Sequence, residues 1–189
     1  NPAGQRLTAN RTIESFYKWS GGGRIPIFCD TTSCTHTLLF ETGGDILTPE
    51  NREKYKQLKI MDITQWLKEV VLPRIKVIRP KNRILLHPTC SCQIMGLTPV
   101  LLDIARKCAR EVILPDNWGC CGASGDRGFI FPELSDSATR DERDEIGHES
   151  FDGCYSLART CEIAMQDHIE QPYESIVYLV DETIQDQGT

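Results

Sequence analysis

The sequence predicts an α/β domain: a mostly parallel sheet of about four strands flanked by helices, with cysteines at the strand C-terminal edge. Three observations carry that reading. Short apolar runs of strand length alternate with stretches that repeat apolar residues every three or four positions, the pattern of a parallel sheet covered by helices. Helix-start residues and Pro or Gly stops separate these runs. Cysteines recur just after the expected strands, and a parallel sheet brings all such positions to one edge.

Residues 12–19 (TIESFYKW) read as a helix that stops at Gly21-Gly22-Gly23. Residues 1–23 are therefore expected to be the trailing helix of an upstream unit, and 24–189 a single cysteine-rich domain. The run 25–28 (IPIF) reads as a short strand leading into Cys29, and 50–57 as a short helix. Residues 62–72 (DITQWLKEVVL) place apolar side chains at 63, 66, 67, 70 and 71, one helical face, with Asp62 as N-cap and Pro73 as the stop. RILLH at 83–87 is a buried-strand pattern. Residues 98–112 read as an amphipathic helix with Thr98 as its cap, Pro99 in its first turn and 101, 104, 105 and 108 on its apolar face. EVILP at 111–115 reads as the next strand. Residues 132–147 read as a surface helix, with the DERDE run at 141–145 a solvated face. FDGCYSL at 151–157 reads as the fourth strand, 160–169 as a helix capped by Thr160, and 174–186 as the final helix.

The chain has 189 residues, a net charge of −6 and a pI of about 5.3. Such an acidic balance argues against a nucleic-acid or anionic-membrane surface, which needs clustered Lys and Arg. The apolar runs are too short to span a bilayer. The start at Asn1, without Met, suggests a processed chain or a piece of a longer one. Nine cysteines are the outlier, and an odd number cannot all pair. A reducing compartment, hence a cytoplasmic location with any membrane association through a parent complex, suits metal or redox chemistry better than a disulfide framework.

On the expected elements, Cys29 follows the first strand, Cys90 and Cys92 the second, and Cys120 and Cys121 the third. Cys154 lies in the fourth strand, and Cys161 just inside the helix after it, where a helix N-terminus favours a thiolate. Cys108 lies on an apolar helix face and reads as a core thiol. The loop Trp118–Gly128 (WGCCGASGDRG) sets two adjacent thiols among glycines, including Gly122 and Gly125, that let backbone N–H groups approach a bound group. Asp126 and Arg127 read as an ion pair bracing that loop. The loop matches neither the dinucleotide nor the P-loop pattern. The spacings present are C-x4-C, C-x-C, C-C and C-x6-C; thiolate sites suit zinc or iron–sulfur, and these spacings do not choose between them. His36 and His87 read as hydrogen-bonding loop residues.

The segment GCCGASGDRGFIFPELSDSATR, with CDTTSCT and HPTCS before it and RTCEIAM after it, resembles the cysteine-rich CCG domain over roughly residues 24–187. The resemblance is nearest to the C-terminal part of FAD- and iron–sulfur-binding D-lactate or 2-hydroxyacid dehydrogenases. The iron–sulfur subunits of glycolate oxidase and anaerobic glycerol-3-phosphate dehydrogenase, and the CCG-containing polypeptide of heterodisulfide reductase, are related. It implies a [4Fe-4S] cluster on Cys90, Cys120, Cys121 and Cys161, which takes electrons from FAD in an N-terminal domain outside this chain, through a ferredoxin-like segment, and passes them to an acceptor. Ala158 stands where the pattern has the first cysteine of a closing pair, so the resemblance implies one four-cysteine set. CDTTSCT would close an earlier unit, leaving Cys29, Cys34, Cys92 and Cys154 as further metal or redox thiols. The alternatives are a zinc-binding docking module and thiol–disulfide chemistry like that of heterodisulfide reductase.

Overall fold

The structure is a computed structural model that describes residues 1–185. Residue 186 of the expected final helix, and the last residues of the expected 24–189 domain, lie outside the described residues. Residue contacts divide the chain into two compact units, one Asn1–Ile63 and one beginning at Thr64.

The first unit opens with α1 (Pro2–Trp19), capped by Asn1, whose side chain accepts from the Ala3 and Gly4 amides. The helix stops in three glycines, each with positive φ, as their sequence position suggests. Next come β1 (Ile27–Cys29) and α2 (Thr32–His36), the latter running on into a π-helical turn, Thr37–Glu41. A short 3-10 turn, Gly44–Ile46, precedes α3 (Pro49–Gln57), which packs on α1. Asn10 on α1 fixes that packing: its Oδ1 accepts from the Thr48 amide and from Asn51 Nδ2, both at 2.9 Å. The helix within residues 1–23 thus shares a compact unit with residues 24–63. β2 (Ile60–Asp62) pairs with β1 in parallel, Ile27 opposite Ile60, as a separate two-stranded sheet.

The expected helix over 62–72 is three short turns in succession: α4 (Ile63–Trp66), a π-helical turn Leu67–Val71 and a 3-10 turn Leu72–Arg74. Asp62 ends β2 and directly precedes α4, the position expected of its N-cap. Pro73, which has no N–H to continue an α-helix, sits inside the last turn.

The second unit is built on β4 (Lys81–Leu86), preceded by a two-residue strand β3 (Lys76–Val77). After β4 come α5 (Cys90–Ile94), α6 (Thr98–Cys108) and β5 (Ala109–Ile113). Thr98 is the first helical residue of α6 rather than its cap, and the helix yields to extended backbone at Ala109, earlier than the expected 112. Then follow α7 (Arg127–Ile130), α8 (Pro132–Ile146), β6 (Gly153–Ser156), α9 (Arg159–Ile169), β7 (Tyr173–Ser175) and α10 (Ile176–Thr183). α9 starts after Ala158, which has no side-chain acceptor, so Thr160 does not cap it. β8 (Ile184–Gln185) closes an antiparallel pair with β3.

The main sheet has four parallel strands in the order β5-β4-β6-β7, and this is the α/β class expected. Its membership differs in one strand. Residues 27–29 pair elsewhere, and the fourth place is taken by β7, cut from the front of the expected final helix. α6 packs with α10, and α8 with α9, so helices cover both faces. A sheet covered on both sides buries consecutive residues rather than alternate ones, and Ile84, Leu85 and Leu86 are all fully buried. The chain goes from β4 to one side for β5, then crosses to the other side for β6. That reversal makes the carboxyl ends of β4 and β6 the switch point of the sheet, the place where open α/β sheets bind ligands.

Candidate functional site

Three loops meet at this edge. The loop after β4 enters α5 through Thr89, whose Oγ1 accepts from the Cys92 amide at 3.2 Å and leaves Cys90 exposed at the first helical position. The glycine loop after β5 carries Cys120, exposed, and Cys121, buried. The turn after β6 carries Cys161 in the first turn of α9, also buried.

The four thiols touch in succession. Cys90 neighbours Cys120, Cys120 neighbours Cys121, and the Cys121 and Cys161 sulfurs lie 3.0 Å apart. The Gly122 amide donates to the Cys120 sulfur at 3.4 Å. These contacts resist ionisation. Burial, then the neighbouring Cys120, raises the Cys90 thiol above its ordinary value, and contact with Cys121, then burial, raises Cys120. For Cys121, the bond from Cys120 pulls down, but the contact with Cys161 and burial outweigh it and push the thiol up to about 12.

The remaining expected thiols lie apart from this row. Cys92 is fully buried, its sulfur 4.0 Å from Thr98 Oγ1. Cys154 sits within β6, paired with Leu85 and Tyr173 and 1% exposed, so it is in the sheet core rather than at its edge. Cys108 is a core thiol, fully buried. Cys29 and Cys34 lie in the first unit near one another; burial raises the Cys29 thiol and a bond with Thr35 opposes it. None of the nine cysteines is joined in a disulfide. Asp126 and Arg127 are exposed and, among the described residues, form no ion pair with each other. Backbone bonds brace the loop instead: Gly128 N donates to Ala123 O at 2.9 Å and Phe129 N to Asp126 O at 3.2 Å. His36 meets Glu41 at 3.3 Å.

Beneath this edge lies a polar pair that the sequence reading missed. His87, directly after β4, is fully buried, and its Nδ1 lies 3.0 and 3.2 Å from the two carboxylate oxygens of Glu142 on α8, itself 2% exposed. Its backbone oxygen accepts from Ser156 Oγ at 2.8 Å, which ties the ends of β4 and β6 together. Tyr173 stands edge-on to the imidazole, ring centroids 6.4 Å apart. The expected solvated face is therefore corrected at Glu142. The signal was available: Ser135, Thr139, Glu142 and Ile146, the buried residues of α8, recur at helical spacing, with the glutamate in the stripe.

Could the row of thiols hold a metal group? Its donor chemistry fits, since thiolates are the ligands of structural zinc and of iron–sulfur clusters, and an N–H already points at one sulfur. Among the described residues, no three His, Cys, Asp or Glu side chains are arranged as a metal site. The inner pair accounts for part of that. Two sulfurs on one tetrahedral zinc stand about 3.8 Å apart, so Cys121 and Cys161 must separate to ligate. Among the described residues no helix is long and apolar enough to cross a membrane. No protein-family model matches the chain, and no curated protein sequence matches it.

A pH dependence follows from the buried thiols. Burial pushes Cys154 up to about 12 from 9.0, so the folded state holds this proton more tightly than the unfolded chain. That contribution to stability is full below pH 9 and declines as pH rises from there toward 12. Urea unfolding of the reduced, metal-free protein is expected to show falling stability above pH 9, with a shallower fall for Cys154→Ala. Equal slopes for the two proteins would remove Cys154 from this account.

Proposed function

We propose that the row of thiols is an iron–sulfur electron-transfer site, with Cys90, Cys120, Cys121 and Cys161 holding a [4Fe-4S] cluster. The observation that carries the reading is their succession of contacts at the switch point of a parallel sheet, drawn from three loops distant in sequence. The cluster would supply one-electron transfer; hydrogen bonds to sulfur and the degree of burial tune its potential. Here Gly122 N–H serves the outer sulfur Cys120, while the core around Cys121 and Cys161 keeps water from the inner ones. In this reading the chain is part of a cytoplasmic flavin-dependent 2-hydroxyacid dehydrogenase of the D-lactate or glycolate type. Its partners are the FAD domain and ferredoxin-like segment of the parent protein. The motif resemblance supports that assignment.

A specific observation favours a second reading. The 3.0 Å contact of Cys121 and Cys161 suits thiol–disulfide chemistry, as in the heterodisulfide reductase relative.

Anaerobic purification with iron, zinc and acid-labile sulfide analysis tests the cluster, and metal-free protein with fast-reacting thiols would favour the second reading. The proposal expects iron with sulfide and a broad visible absorbance, all lost in Cys121→Ala. Stoichiometric zinc without sulfide would replace it with a structural metal module. Unchanged iron in Cys121→Ala would remove that residue from the ligand set.

A further inference from the structure

We propose that Cys121 and Cys161 form a reversible disulfide in the metal-free protein, and that this bond closes the site to metal. The second half rests on the reading of these residues as ligands; the first half does not.

The pair stands out among the nine thiols. Its sulfurs are 3.0 Å apart, so they need about 1 Å of further approach to reach the ~2.05 Å bond. The two residues come from separate segments, the glycine loop and the first turn of α9, and share one apolar cluster with Ala123, Ala158, Ala164 and Met165. No adjacent-residue strain opposes their pairing, as it would for Cys120 with Cys121. The sulfurs of Cys92 and Cys154 instead face Thr98 and Gln171. Cys90 and Cys120 are neighbours too, but both are exposed.

The oxidant is a small-molecule disulfide, RSSR. Cys161, at 8% the more exposed of the pair, attacks one sulfur as its thiolate and releases RSH, giving a mixed disulfide. Cys121 then attacks the Cys161 sulfur, the S–S bond to R breaks, and a second RSH leaves. The two protein thiols lose two electrons and two protons, and RSSR gains them. Oxidation also removes two of the four thiolates and pulls the inner sulfurs together, whereas ligation must part them. Metal binding and the disulfide are therefore mutually exclusive.

The test uses the full, metal-free chain in buffers of bis(2-hydroxyethyl) disulfide and its thiol, followed by alkylation and peptide mapping. We expect loss of two of the nine thiols, a single Cys121–Cys161 cross-linked peptide, and full reversal by excess thiol. Cys90→Ser should keep the cross-link, whereas Cys121→Ser and Cys161→Ser should each lack it. Zinc added as the probe should bind the oxidised protein about tenfold or more weaker than the reduced one, since half the thiolates are gone. A cross-link joining Cys90 to Cys120, or mixed disulfides alone, overturns the proposal, and so does equal zinc affinity in the two states. If the cross-link forms and gates zinc while the anaerobic protein carries no iron, the iron–sulfur reading fails and this one stands. Iron and sulfide without the cross-link give the reverse.

Discussion

Glu142→Ala is expected to destabilise the second unit by about 3 kcal/mol, where the ranges for an orphaned buried hydrogen-bonding group and for a broken buried ion pair meet. The cost arises at His87 rather than at the glutamate. His87 is fully buried and its Nε2 has no hydrogen-bond partner among the described residues, so the two carboxylate contacts at Nδ1 are what satisfy its ring. Removing them leaves both nitrogens unmet in a fully buried ring. Glu142→Gln keeps an acceptor at the same reach and should recover most of the loss. Urea unfolding checks both, read as a shift in midpoint at unchanged slope. A double-mutant cycle with His87→Phe isolates the pair, because the ring shape is roughly kept while the need for a partner disappears. If Glu142→Ala costs under about 1 kcal/mol, the polar link between α8 and the end of β4 is not holding the edge together.

That pair also shows where sequence reading of this chain succeeds and where it stops. The β4 run is legible because a sheet covered on both faces needs consecutive apolar residues, and RILL supplies them. The cysteines after β4 and β5, and at the start of α9, are legible as one edge because parallel strands end together. Three things are less accessible. Glu142 sits in a run of charges that composition alone assigns to solvent, and only its spacing from Ser135, Thr139 and Ile146 gives it away. β7 is three residues long, too short to show alternation, so it merges with the helix that follows it. The division of the four thiols into two exposed and two buried is a product of tertiary packing. It depends on how closely the glycine loop approaches α8, a distance that no local pattern encodes.

Gly122→Ala tests that approach directly, and should cost about 2–5 kcal/mol, the sum of a left-handed non-glycine residue and an overpacked contact. Gly122 has a φ of 74°, and a Cβ there would lie 2.6 Å from Leu134 O and 2.7 Å from Ser135 Cα. Both are backbone atoms of α8, so no side chain can swing aside. Gly125 separates the two terms. Its φ is 76°, but an added Cβ meets nothing within 4 Å, so Gly125→Ala should cost only the backbone term, about 1–2 kcal/mol. Gly119 has neither a positive φ nor a close neighbour, and Gly119→Ala should be within about 0.5 kcal/mol of the parent. The same series reads out the thiols. The Gly122 amide donates to Cys120, and Cys121 precedes it directly, so pushing the loop off α8 should draw Cys121 away from Cys161. Cross-linking of Cys121 to Cys161 in disulfide buffer should therefore fall sharply in Gly122→Ala and persist in Gly119→Ala. Equal costs for Gly122→Ala and Gly125→Ala would mean that α8 yields to the new methyl group, and the close seat of the loop on that helix would no longer account for the buried pair.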